Sequence, residues 1–170
     1  MPKRPPRLPQ FSYTGPYRYF LTVCTRSRLP VLADPAIGSL VVRQFLRVTS
    51  EQQFEAIAYC AMPDHFHALV QGTQADSDFT SMVRRWKQAT GHAWKHSGHT
   101  NALWQAGYFD RILREQDATE AVVRYIVANP LRAGLATDIR DYPLIGSGPY
   151  DIDALLASSL DWYPRSPRRV

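Results

Sequence analysis

Two apolar stretches, FEAIAYCAM and HFHALVQG, meet at the turn Met62-Pro63-Asp64, and a segment of helical periodicity lies beyond each. A tight strand pair between two helix-bearing arms admits few topologies. Upstream, YRYFLTVCTR alternates as a strand, with Tyr19, Leu21 and Val23 on one side. DPAIGSLVVRQFLRVTSEQ then offers Asp34 as N-cap and Pro35 in the first turn, with Ile37, Leu40, Val41, Phe45 and Val48 at helical spacing. Downstream, DFTSMVRRWKQATGHAWKHS predicts a helix with Phe79, Met82, Val83, Trp86 and Ala89 inward and Arg84, Arg85 and Lys87 mostly outward. GYFDRILRE predicts a fourth strand. ATEAVVRYIVANP predicts a last helix, with Asp117 and Glu120 as a capping box and Pro130 ending or kinking it.

The order strand, helix, strand, strand, helix, strand, helix is a split βαβ pattern. The expected fold is α+β: a ferredoxin-like core with an antiparallel sheet and helices packed on one face. Residues 1–10 read as a basic, Pro-rich arm, 11–140 as the folded domain, and 141–170 as a tail that is first acidic and then basic. No internal repeat is present.

Charge placement says more than net charge. The chain carries 20 basic and 15 acidic residues, a formal +5. Residues 1–132 hold 16 Lys and Arg against 10 Asp and Glu, whereas 133–163 hold Arg140 against five aspartates. A basic body favours a polyanionic partner. The acidic stretch from Asp138 to Asp161 is a candidate to fold over that body and compete with such a partner. No apolar run approaches a membrane span, and MPKRPPRLPQ lacks the apolar stretch of a signal peptide. Two cysteines, Cys24 and Cys60, make no disulfide framework, so both are expected reduced and the chain cytoplasmic.

The chemistry-bearing residues fall in two places. On the strand HFHALVQG, His65, His67 and Leu69 share one face and Phe66, Ala68 and Val70 the other, which is the core face. The two imidazoles are separated by roughly 6–7 Å at Cα, close enough to converge on one cation. On these residues alone, two partly exposed histidines and half a metal site are both open readings. On the last helix, Val122, Val123, Ile126 and Val127 form the core stripe, while Tyr125 and Asn129 sit one turn apart at its edge among Ala118, Ala121 and Ala128. An amphipathic edge tyrosine and an accessible nucleophile both fit that pattern. His92 and His96 are also four apart, but HAWKH lacks the glutamate that a metalloprotease helix needs.

AMPDHFHALV followed some sixty residues later by VVRYIVANPLRAGLA resembles the REP-associated tyrosine transposases. These are bacterial single-tyrosine members of the HUH (His-hydrophobic-His) endonucleases, related to insertion-sequence transposases. The likeness runs over roughly residues 8 to 145 and includes YRYFLTVCTRSRLPVL, LWQAGYFDRILRE and RDYP. The resemblance implies that His65 and His67 bind a divalent metal, Mn or Mg, that Tyr125 is the nucleophile, and that Asn129 supplies a third, polar ligand. It implies cleavage of single-stranded DNA at REP-type hairpins through a 5′-phosphotyrosine. One position departs: relatives often carry histidine in the strand YFDRILR, where this chain has Asp110 and Arg111.

Candidate phosphate contacts are Arg4, Arg7, Arg84, Arg85, Lys87, Lys95, Arg111, Arg114 and Arg132, with Trp86, Trp94 or Trp104 as base-stacking candidates. A monomer is expected, since one chain carries every motif. The alternative from a different class is a nucleic-acid-binding module of the same fold that has lost cleavage.

Overall fold

The computed structural model describes residues 11–113 and 116–157. The arm 1–10 with Arg4 and Arg7, Arg114, the Asp117 side chain of the expected capping box, and the basic end of the tail lie outside the described residues.

Strands β1 (Arg18–Cys24), β2 (Phe54–Met62), β3 (His65–Gly72), β4 (Phe109–Leu113) and β5 (Ile145–Ser147) form one sheet in the order β4-β1-β3-β2-β5. Every pairing is antiparallel. The first four strands, with helices α1 (Pro35–Glu51) and α2 (Phe79–His96), have the expected ferredoxin-like order. Helix α1 begins where the sequence places it: the Asp34 carboxylate accepts from the backbone N–H of Ala36 and Ile37, and Pro35 occupies the first turn.

Alternation along the strands divides the side chains between two cores. Tyr19, Leu21 and Val23 of β1 and Phe66, Ala68 and Val70 of β3 pack with Val41 and Phe45 of α1 and Met82 and Trp86 of α2. The opposite face carries Leu69, Cys60 and Met62, covered by Val123, Ile126 and Val127 of α3 (Gln116–Val127). The expectation that all helices share one face therefore holds for α1 and α2 and fails for α3. Its apolar stripe needs a partner surface, and the second face of β2 and β3 supplies one.

The strand β2 serves both cores through a bulge between Ala56 and Ala58. Before it Phe54 faces α1 and α2; after it Ala58, Cys60 and Met62 face α3. One extra residue inverts the alternation that would otherwise keep Phe54 and Ala58 on the same side.

The domain also extends past residue 140. β5 pairs with β2 through Ala58↔Ser147, Tyr59↔Gly146 and Cys60↔Ile145, while the Tyr142 hydroxyl donates to the Ala61 carbonyl at 2.7 Å. Leu144 joins the first core and Ile145, Tyr150 and Ile152 pack on the second. Residues 141–152 are thus part of the domain, not a tail laid over it. Gly146 is required there because a Cβ would lie 2.3 Å from the Tyr59 hydroxyl. Short helices α4 (Asn129–Arg132) and α5 (Ile152–Ala157) complete the described chain. Among the described residues no helix is long and apolar enough to cross a membrane.

Three tryptophans expected as base-stacking candidates are core residues. Trp86 is fully buried and Trp94 and Trp104 nearly so. Their indole N–H groups donate to Val41 O, Asn101 O and Thr90 Oγ1 respectively. Each pairing is tertiary, so the basic residues beside Trp86 and Trp94 in sequence were a poor guide to their surroundings.

At the other end of β3, Gly72 lies against the chain entering β1: its N–H donates to Tyr17 O at 3.0 Å, and a Cβ would sit 2.2 Å from Gly15 O. Because the obstacle is backbone, Gly72→Ala is expected to cost about 1–3 kcal/mol, the scale of overpacking. At roughly 2–4 °C per kcal/mol for a chain of this size, calorimetry should show a clear fall in melting temperature. An unchanged melting temperature would mean that the β1 entry is free to shift.

Candidate active site

The site is built on the face of β3 that α3 covers. In the sheet register His67 lies between Thr22 of β1 and Cys60 of β2, and His65 between Cys24 and Met62. His67 is 5% exposed. Its Nδ1 meets the Thr22 hydroxyl at 2.8 Å, and its ring stacks on Phe20 with centroids 5.5 Å apart. His65 is half-buried, and its Nδ1 meets Asp64 Oδ1 at 2.6 Å.

With both Nδ1 atoms engaged, the two Nε2 atoms face each other at 3.1 Å. Donation from His65 Nδ1 to Asp64 leaves a lone pair on His65 Nε2. When Thr22 likewise accepts from His67, a second lone pair points at the first, an arrangement that calls for a positive charge between them. In the other tautomer His67 Nε2–H simply donates to His65.

Burial first, then the unfavourable electrostatics of a second charge beside His65, Arg28 and Arg132, hold the His67 pKa down to about 3. The ring is therefore neutral near pH 7, which is the form that ligates a metal. The donor set fits a divalent cation: two imidazole nitrogens 3.1 Å apart suit adjacent positions around one ion at ordinary bond lengths of ~2.1 Å.

Asp64 is held in turn. Its Oδ2 accepts from Arg28 Nε at 3.1 Å, and Arg28 also reaches Cys24 Sγ at 3.0 Å. Arg28 gets there through a tight loop in which Ser27 and Arg28 adopt left-handed backbone, φ 55° and 59°. Buried Thr25 clamps this loop to the β2–β3 turn: its hydroxyl donates to Leu29 O or Asp64 O, and its N–H donates to Asp64 O. The result is a continuous chain, Arg28–Asp64–His65–His67–Thr22.

Helix α3 brings Tyr125 to the same place. One end of the helix is fixed by Arg18, whose guanidinium donates to buried Thr119 at 3.0 Å. Near the other end the Tyr125 ring packs edge-on to His67 at 5.7 Å and to Phe20 at 6.0 Å. The Arg132 guanidinium lies 4.7 Å over that ring, a cation–π contact at the site's open side.

Pro130 does end α3, and α4 continues after a break at Ala128. Asn129 is nearly buried and closes the break: its side-chain N–H donates to Tyr125 O at 2.9 Å and Ile126 O at 3.4 Å. The second carbonyl is the one that Pro130, lacking an N–H, leaves unpaired. Asn129 is thus a helix-end cap, with the amide oxygen as its remaining ligating group. Among the described residues no cluster of three His, Cys, Asp or Glu could hold a metal ion.

The structure gathers His65, His67, Tyr125 and Arg132, and it disperses the other basic candidates. Arg111 is exposed on β4, on the site's face of the sheet, where its register partner is Phe20. Arg84, Arg85 and Lys95 are exposed on α2, beyond the other face. Lys87 is half-buried, with its ammonium donating to the carbonyls of Gln105 and Gly107. Sequence reading missed Thr22, Asp64, Arg28 and Phe20 as site residues. Asp64, adjacent to His65, carried a local signal; the others arrive through strand register and loop geometry.

Comparison with known proteins places the chain in a family. The profile of the family described as "Transposase IS200 like" matches residues 15–129. The REP-associated tyrosine transposase of Escherichia coli strain K12 is 27% identical over 141 residues, covering 79% of this chain and 82% of that protein. A solved structure of a REP-associated tyrosine transposase bound to a REP hairpin superposes with a TM-score of 0.69 at 25% identity, over 83% of this chain and 82% of that one. The family match spans well over half of the sequence, from the turn before β1 to the break after Tyr125, and the chain belongs to the IS200-like transposase family of DNA-processing enzymes.

Proposed function

We propose that the protein cuts and rejoins single-stranded DNA at REP-type hairpins, with Tyr125 as nucleophile and a covalent 5′-phosphotyrosine intermediate. The observation that carries this reading is the convergence of His65 Nε2 and His67 Nε2, 3.1 Å apart, beside the Tyr125 ring. The hairpin bound by the structural relative supports the choice of substrate.

In this mechanism the Tyr125 oxygen attacks the scissile phosphorus, the bond to the 3′ oxygen breaks, and the phenolic proton ends on the released 3′-hydroxyl, directly or through water. Because one phosphodiester is exchanged for another, an incoming 3′-hydroxyl can reverse the step and rejoin strands. His65 and His67, with the Asn129 amide oxygen as a third donor, would hold Mn or Mg. Such an ion, when bound, polarises the phosphate and stabilises its developing charge. Arg132 places a permanent cation against Tyr125, where the phosphate must approach. Asp64 fixes the tautomer and orientation of His65, and Arg28 fixes Asp64. The nucleophile and both histidines belong to one chain, so a monomer suffices.

Incubating the protein with labelled single-stranded REP-type hairpins and manganese should yield a covalent adduct on a denaturing gel. Tyr125→Phe should abolish it, a loss of at least ~10³-fold, since no other group replaces the nucleophile. Hairpin binding without an adduct, across several flanking sequences, would instead indicate a binding module that does not cleave.

Asp64→Asn should weaken manganese binding about 10–100-fold, the usual cost of losing a carboxylate behind a ligating histidine. Paramagnetic resonance of free manganese reads this without reference to cleavage. Unchanged affinity would mean that Asp64 braces the turn only.

A further inference from the structure

Helix α2 carries a second pair of histidines, which the proposed reaction does not use. His92 and His96 are exposed, one turn apart, near its C-terminal end. Their ring centroids lie 4.0 Å apart, closer than the 4.6 Å between His65 and His67 in the active site. Side chains four residues apart on a helix are neighbours, so the backbone itself holds the two imidazoles within reach of one ion.

One ring is already set for ligation. His96 Nδ1 lies 3.1 Å from His92 O. A carbonyl only accepts, so Nδ1 carries the proton, and in the neutral ring the lone pair on Nε2 is left for a metal. A backbone carbonyl behind an imidazole is a common device for fixing the tautomer and orientation of a ligating histidine.

The turn that bears the pair is held in place. Trp94, between the two histidines in sequence, is nearly buried, and its indole N–H donates to Asn101 O at 2.8 Å, tying the helix end to the loop 101–108. Ser97 closes the helix: its N–H and its hydroxyl both donate to Ala93 O at 3.1 Å. Fraying of the last turn, which would part the rings, is opposed at both points.

The surroundings select the class of ion. Among the described residues no third His, Cys, Asp or Glu joins the pair, and His99 stacks on Trp94 instead, with ring centroids 3.4 Å apart. The protein therefore supplies two imidazole nitrogens, and water fills the other positions. With no oxygen ligand from the protein the pair is a poor site for Mg, and it suits the ions late in the first-row series that favour imidazole. Lys95, exposed three residues after His92, opposes any cation, but solvent screens that repulsion at this surface.

We propose that His92 and His96 form a bidentate site for one divalent ion of the zinc, nickel and copper class, separate from the pair on β3. The two pairs stand on different elements: His65 and His67 lie on the sheet face that α3 covers, and α2 packs on the opposite face. An ion held at His92 and His96 bridges two successive turns and ties down the C-terminal end of α2.

The test is isothermal titration calorimetry with nickel on the parent, His92→Ala and His96→Ala. The parent should bind one equivalent that both variants lose or hold at least about tenfold more weakly, since the second ligand no longer binds intramolecularly. Alanine is the best helix former and both positions are exposed, so circular dichroism should show the parent's fold in each variant. Should either fail to fold, His92→Gln and His96→Gln carry the same comparison. The equivalent should persist in Asp64→Asn, which weakens only the other pair, and millimolar magnesium should not displace it. Unchanged nickel binding in both variants, a loss in only one of them, a loss in Asp64→Asn, or displacement by magnesium would each overturn the proposal. Calorimetry reads the metal alone, so the result stands whether or not Tyr125 forms an adduct.

Discussion

The site depends on an imidazole that is buried and yet kept neutral. Packed between Phe20, Thr22 and Tyr125, His67 has too little water around it to carry a charge, and His65 and the guanidinium groups of Arg28 and Arg132 oppose its protonation further. A neutral buried ring needs hydrogen-bond partners, and it has one on each nitrogen: Thr22 on Nδ1 and His65 on Nε2. That requirement explains why a threonine sits at the register position opposite His67, and why Asp64 and Arg28 orient His65 from behind. A loose His65 would leave the buried Nε2 without a fixed partner. The strained loop at Ser27 and Arg28 is intelligible in these terms, since it delivers a guanidinium to the one carboxylate that orients the pair.

The division of the sheet into two cores separates stability from chemistry. The face toward α1 and α2 buries the large side chains, among them Trp86, Tyr19, Phe45, Phe66 and Phe79, and holds the domain together. The face toward α3 buries smaller ones, such as Ala58, Cys60 and Val123, and leaves room beside them for two imidazoles and a phenol. Both faces are served by the same three central strands, so the histidines stand on the most constrained part of the fold. Helix α3 carries Tyr125 and α4 carries Asn129 and Arg132, while Thr25 pins the loop of Arg28 to the turn of Asp64.

Much of this was legible in the sequence wherever a local period decided the outcome. Alternation in HFHALVQG placed His65 and His67 together on the face opposite Phe66, Ala68 and Val70 without showing that this face is a second core, and the helical spacing of Val123, Ile126 and Val127 put Tyr125 at the edge of α3. Reading failed where tertiary contacts decide. The segment I-G-S is strand only because Tyr59 of β2 lies over Gly146 and the edge of β2 needs a partner. Trp94 looks like an exposed aromatic between His92 and Lys95, and Trp104 stands in a loop, but their N–H groups have partners that no spacing announces. Asn129 was legible as a polar residue one turn after Tyr125. Its bonds to the Tyr125 and Ile126 carbonyls follow from a helix break whose geometry the pattern N-P does not specify.

The distribution of positive charge bears on how DNA can lie on this protein. Arg111 and Arg132 stand on the tyrosine side of the sheet, Arg84 and Lys95 on the α2 side, and Arg28 at the sheet end between them. A straight duplex on one face could reach only half of these cations. A substrate that bends at the sheet end could reach both halves. The Cys24–Arg26 segment, which pairs with β3 through Cys24 and with the loop 101–108 through Arg26, is the backbone that fixes the distance between the halves. The reach demanded of the DNA is therefore set by the sheet itself, whatever the conformation of any single surface side chain.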